Sequence, residues 1–117
     1  MSENAPESKP TVLYIDDDND NRVLVNRLLS SYNFTVIEAA TGLEGIKIAR
    51  QENPNLILMD INMPGLDGHE TTTRMRSIPA LEKTPIIAVT ARTTKGEREL
   101  ALAAGCNGYI SKPIDVD

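Results

Sequence analysis

The chain has 117 residues, enough for one compact core and too few for two ordinary domains. Hydrophobic residues at 40% and charged residues at 25% predict a globular fold rather than a disordered chain, and a formal charge of -5 argues against an extended nucleic-acid surface and for a protein or cation as partner. No apolar stretch is long enough to span a bilayer, and the start "MSENAPESKP" lacks the basic and apolar regions of a secretory signal, so the expected compartment is the cytoplasm, with no membrane contact.

Residues 1–10 are polar, contain two prolines and show no periodicity, which reads as a flexible leader before a domain over 11–117. "TVLYI" (11–15) is rich in strand formers and predicts a buried central strand. From Asn19 to Leu29, Val23, Leu24, Leu28 and Leu29 recur at roughly helical spacing, giving an amphipathic helix capped by Asp18 or Asn19. "FTVIEA" (34–39) is a more polar strand, suited to a sheet edge. "GLEGIKIAR" (42–50) sets Leu43, Ile46 and Ala49 on one face of a second helix, with Thr41 as cap and Asn53-Pro54 as stop. "LILM" (56–59) has no polar alternation, as expected for a strand covered on both faces.

A third helix is expected from Gly68 to before Pro79, then a covered strand "PIIAV" (85–89), a helix "GERELALAAG" (96–105) and a last strand "GYIS" (108–111). Cys106 is the only cysteine, which excludes an internal disulfide and a cysteine zinc cluster. Its alanine and glycine neighbours predict a buried structural thiol. Strand and helix alternate with connections of crossover length, which predicts an α/β fold: a doubly wound parallel sheet with helices on both faces. The chain stops at Asp117, before the helix that should cover the last strand. Either it is cut short there, the reading preferred, or it leaves apolar sheet surface for a partner.

The carboxyl ends of these strands carry Asp16-Asp17, Asp60, Thr90 and Lys112. In an open parallel sheet the crevice outside those ends is where sites form. Carboxylates converging there destabilise one another unless a cation joins them. Oxygen-only donors suit Mg²⁺, and the absence of histidine or cysteine beside them argues against zinc. "DDDNDN" has neither the glycine nor the glutamate of a calcium loop, and as a bare sequence feature it also fits a solvated turn and helix cap. The same set suits phosphoryl transfer: Asp60 as nucleophile, Lys112 contacting the phosphoryl group, Thr90 hydrogen-bonding it. A cis Lys112-Pro113 bond is a further expectation. His69, on the third helix, reads as surface packing rather than an acid or base.

"VLYIDDD" with Arg22 following, "LILMDINMPGLDG", "PIIAVTA" and "GYISKP" run in order from about Thr11 to Ile114, and together they closely resemble the receiver domain of bacterial two-component response regulators (the CheY-like superfamily). The resemblance implies a five-stranded parallel sheet of order 2-1-3-4-5 and a phosphorelay switch. Asp60 would accept a phosphoryl group from the phosphohistidine of a sensor histidine kinase or histidine phosphotransfer protein. It implies that Asp17 and Asp60 bind Mg²⁺ by their side chains, Asn62 by its carbonyl and Asp16 mainly through a metal-bound water. It makes Thr90 and Tyr109 the switch pair and passes the signal to a downstream protein target, with no direct nucleic-acid binding in this chain. Asn62 and Arg92, each two residues past a site residue, would tune water access. Such a chain is a signalling phosphoacceptor that promotes its own phosphorylation and dephosphorylation, not an enzyme with a separate substrate.

Two rivals remain at this level. An aspartyl-phosphate hydrolase resembling the haloacid dehalogenase phosphatases needs a second aspartate two residues after the nucleophile, where this chain has Asn62. A binding module that keeps the fold without phosphorylation predicts mutated site residues, whereas Asp17, Asp60, Thr90 and Lys112 are all intact.

Overall fold

The computed structural model describes residues 9–91 and 94–112. Residues 1–8 of the expected leader over 1–10, Arg92, the Lys112-Pro113 bond and the place of a fifth helix lie outside the described residues. Within them the order is β1 (Thr11–Ile15), α1 (Asn19–Ser31), β2 (Thr35–Ala39), α2 (Gly42–Glu52), β3 (Leu56–Asp60), α3 (Gly68–Arg76), β4 (Ile86–Thr90), α4 (Lys95–Ala104) and β5 (Gly108–Ser111), with a turn of 3-10 helix at Pro79–Leu81 before β4. The strands form one parallel sheet in the order β2-β1-β3-β4-β5, as the sequence predicts. The winding reverses between β1 and β3, which therefore flank the crevice where parallel sheets place their sites.

Alternation along the strands divides the core. Leu13, Ile15, Ile57 and Met59 point to the face covered by Ala49 of α2, Met75 of α3 and Ala101 of α4. Val12, Tyr14, Leu58 and Val89 point to the other face, with Val25 of α1. Each helix starts on a polar cap directly after a loop from a strand end: the side chains of Asp18, Thr41, Asp67 and Thr94 accept backbone N–H groups of α1, α2, α3 and α4. Asn53 ends α2 in the left-handed conformation, at φ 46°.

Two helix faces differ from the expectation. On α1 the buried residue is Val25, with Leu28 and Leu29 half-buried, while Val23 and Leu24 are exposed. On α2 Ile46 and Ala49 face the core as expected, joined by Gly42 and Gly45, while Leu43 is 62% exposed. The reason is the closeness of the packing. On α2 a Cβ on Gly45 would fall 2.4 Å from Cδ1 of Ile15, so no side chain fits at that position against the sheet. A periodicity that counts leucines and ignores glycines misplaces the edge of the inward face.

At the amino edge of the sheet, Arg76 closes the end of α3. Its guanidinium donates to the carbonyls of Gly105 (2.9 Å), Leu81 (2.8 Å) and Thr84 (2.8 Å) and to Oδ1 of Asn107 (2.7 Å). Asn107 Oδ1 also accepts the N–H of Ile86 at 2.9 Å, which fixes the entry to β4. One side chain thus ties α3, the loop into β4 and the turn after α4.

Candidate functional site

All strands of a parallel sheet point the same way, so residues far apart in sequence meet at its carboxyl edge. Asp16 follows β1, Asp60 ends β3, Thr90 ends β4 and Lys112 follows β5. Asp16 and Asp60 are buried, at 0% and 1% exposure, whereas Asp17 is open to solvent. One carboxylate oxygen from each of Asp16, Asp17 and Asp60 lies within 4.8 Å of the others. Lys112 Nζ is 3.0 Å from Asp60 Oδ1 and 3.5 Å from Asp16 Oδ2. It is the cation that the sequence around Asp60 lacks.

Asp16 is held on every side. The N–H of Asp18 donates to its Oδ1 at 2.9 Å, the Tyr14 hydroxyl to its Oδ2 at 2.5 Å and Asn21 Nδ2 to the same oxygen at 3.3 Å. Its carbonyl accepts from Arg22 at 2.7 Å, and Arg22 also pairs with Glu38 at 3.4 Å. Burial alone would raise the Asp16 carboxyl, but the Tyr14 hydroxyl, the Asp18 N–H and Lys112 together hold it below its usual range.

Asp60 is held more loosely. The N–H of Asn62 donates to Oδ1 at 3.2 Å, and Asn62 Nδ2 reaches Thr90 Oγ1 at 3.4 Å. Burial pushes the Asp60 carboxyl up to about 6, against the pull of Lys112 and with help from the Asp16 charge. Lys112 is itself raised: burial works against its charge, and Asp60 and Asp16 more than offset that. Two carboxylates with opposed shifts share one lysine.

The turn after β3 is compact because α3 starts directly against it. A Cβ on Gly68 would lie 2.4 Å from the Asp60 carbonyl oxygen and 2.7 Å from Ile61 Cα. Glycine is therefore required where the helix meets the strand.

The structure brings together Asp16, Asp17, Asp60, Asn62, Thr90 and Lys112. Tyr109 sits one strand away on β5, half-buried and packed against the core. His69 is half-buried on α3, and its Nε2 is shielded from solvent without a hydrogen-bond partner. Cys106 is buried as expected; burial raises its thiol, although Thr72 Oγ1 at 3.7 Å and Arg76 pull the other way. Sequence reasoning missed Tyr14 and Asn21. A signal for Tyr14 was present: a phenol among the aliphatic residues Val12, Leu13 and Ile15, two positions before Asp16 and so on the same face.

The donor set suits a hard divalent cation. It is all oxygen, two of its carboxylates are fixed by the fold, and the exposed Asp17 leaves an open side for waters.

The family model of the response regulator receiver domain matches residues 12–117. The chain belongs to this family. As a receiver domain it is 39% identical over 106 residues to the polar-differentiation response regulator DivK of Brucella ovis, covering 91% of this chain and 86% of that protein. It is 32% identical to the receiver domain of the sensor histidine kinase PA1611 of Pseudomonas aeruginosa, with a TM-score of 0.85 over 92% of this chain and 88% of that one. That structure has a magnesium ion coordinated in the active site cleft. The receiver domain of Ssk1 of Saccharomyces cerevisiae, solved with the histidine phosphotransfer protein Ypd1, is 26% identical with a TM-score of 0.85, over 92% and 81% of the two chains. The chain is thus a receiver domain of two-component signalling, and no described helix is long and apolar enough to cross a membrane.

Proposed function

We propose that this receiver is a phosphorylation-controlled switch that takes a phosphoryl group from the phosphohistidine of a sensor histidine kinase or a histidine phosphotransfer protein onto Asp60, in a Mg²⁺-dependent reaction. The observation that carries it is the Asp60 carboxylate, buried at the end of β3, 3.0 Å from Lys112 and within one cluster with Asp16 and Asp17. The partner class draws support from the Ssk1 receiver, which was solved with such a phosphotransfer protein.

An Asp60 carboxylate oxygen attacks phosphorus, the P–N bond to the imidazole breaks, and its electron pair stays on the ring nitrogen, which then takes a proton. Asp17 and Asp60 would hold Mg²⁺ by their side chains, Asn62 by its carbonyl and Asp16 through a water. Bound there, Mg²⁺ supplies positive charge against the oxygens of the transferring group. Lys112 moves its ion pair from the carboxylate to the phosphoryl oxygens. Thr90 donates its hydroxyl to the same group, and Asn62, now 3.4 Å from Thr90 Oγ1, gives up that contact. As Thr90 moves in, Tyr109 follows into the space beside β4, the surface of α4 and β5 changes, and a downstream protein reads the change. This is a cytoplasmic role.

Intact mass after incubation with acetyl phosphate and Mg²⁺ tests the reading. One added phosphoryl group is expected in the native chain, and none in Asp60→Asn or with the cation chelated. A folded native chain that stays unmodified at every reaction time, or an adduct that survives in Asp60→Asn, would overturn it.

A further inference from the structure

The reading above leaves Tyr14 without a role, yet it lies directly beneath the acidic pocket. Tyr14 is 1% exposed, in the middle of a central strand, among Val12, Val25, Leu58 and Val89. A hydroxyl in such apolar surroundings is destabilising unless it is paired. Its partner is Asp16 Oδ2, at 2.5 Å.

The geometry decides what this contact does. Asp16 Oδ1 is taken by the Asp18 N–H, and Oδ2 receives Tyr14 from below, with Asn21 at 3.3 Å and Lys112 at 3.5 Å as longer contacts. The ring is buried in the core, so its hydroxyl is a fixed donor, and with the Asp18 N–H it holds both oxygens of the Asp16 carboxylate. Lys112 lies closer to Asp60, at 3.0 Å, than to Asp16, at 3.5 Å. A phenol keeps its proton at neutral pH, so the Tyr14 hydroxyl is the donor and Asp16 Oδ2 the acceptor.

Resting on the Mg²⁺ site proposed above, we infer that Tyr14 is a positioning residue: its hydroxyl fixes the Asp16 carboxylate in the orientation that completes the divalent-cation site with Asp17 and Asp60, and leaves Lys112 to Asp60. It acts through Asp16 and touches neither the cation nor the phosphoryl group. Groups that orient metal ligands in this way contribute strongly to affinity.

The test is a Mg²⁺ titration followed by backbone amide shifts in four proteins: native, Tyr14→Phe, Asp16→Asn and the double variant. Phenylalanine keeps the ring and removes one oxygen, and the spectra report folding directly. Tyr14→Phe is expected to weaken Mg²⁺ binding about tenfold or more. In the Asp16→Asn background the same change should have no further effect, because the residue through which it acts is gone. Unchanged or tighter binding in Tyr14→Phe overturns the inference, as does an equal loss in both backgrounds, which would mark a general packing role. A native chain whose acidic edge does not respond to Mg²⁺ sinks the cation site itself and this inference with it. A native chain that binds while Tyr14→Phe binds equally well sinks the inference alone.

Discussion

Asp60 carries its charge under protest, and this has a measurable sign. Its carboxyl rises from an ordinary 3.8 to about 6 in the fold, so the folded chain binds more protons than the unfolded chain between those values. Stability therefore falls as pH rises through that window. Asp16 has the opposite shift, and its contribution is present above its ordinary value of 3.8 and lost only below it, as pH falls through its lowered folded value, so the two effects occupy separate ranges. In the absence of divalent cations, Asp60→Asn should stabilise the chain at pH 7 by about 1–3 kcal/mol and by progressively less towards pH 4, read from urea unfolding at several pH values. Mg²⁺ should reverse the comparison. It stabilises the native chain by mass action and should do far less for Asp60→Asn, which thermal unfolding with and without the ion will show.

At the scale of an element, α3 is placed by contact with the strand it follows. Gly68 has no room for a side chain between the helix start and the Asp60 carbonyl. Gly68→Ala should lower stability by about 1–3 kcal/mol, because backbone rather than a flexible side chain must yield. It should also slow phosphorylation by acetyl phosphate, since the segment that yields is the one presenting Asp60 and Asn62. Unchanged stability together with an unchanged phosphorylation rate would show that the turn is slack. The α2 helix obeys the same rule, and there the hydrophobic pattern misled at one position: Ile46 and Ala49 turn inward with Gly42 and Gly45, and Leu43 points out. The strength of a leucine signal says nothing about how closely a helix approaches its sheet.

At the scale of the whole molecule, stability and chemistry sit at opposite edges of the sheet. Helices in this fold run back from the carboxyl edge, so the end of α3 lies at the amino edge, far from Asp60. There Arg76 binds the carbonyls of Gly105, Leu81 and Thr84 and the side chain of Asn107. Arg76→Ala should lower stability by about 1–3 kcal/mol, since several part-buried acceptors lose a charged donor at once. Arg76→Lys should recover little of it, because a single ammonium cannot reach acceptors on both the loop into β4 and the turn after α4. Below the unfolding transition both variants should still take up phosphoryl from acetyl phosphate. Loss of that reaction in folded Arg76→Ala would mean the two edges are coupled.

The sequence by itself determined the order of strands and helices, the parallel sheet, the cap at Thr41 and the set of residues at the strand ends. These depend on local chemistry and on period, both readable one segment at a time. The strand-end motifs also identified the family before any coordinates. What only the tertiary structure decided was contact across segments: that Lys112 neutralises Asp60, that Tyr14 reaches Asp16, that Arg76 gathers the amino edge, and which faces of α1 and α2 turn inward. The physical reason is common to all four. Distances between residues far apart in the chain are set by how closely helices pack on the sheet, and that depends on the small residues and hydrogen-bond partners on both sides of each contact.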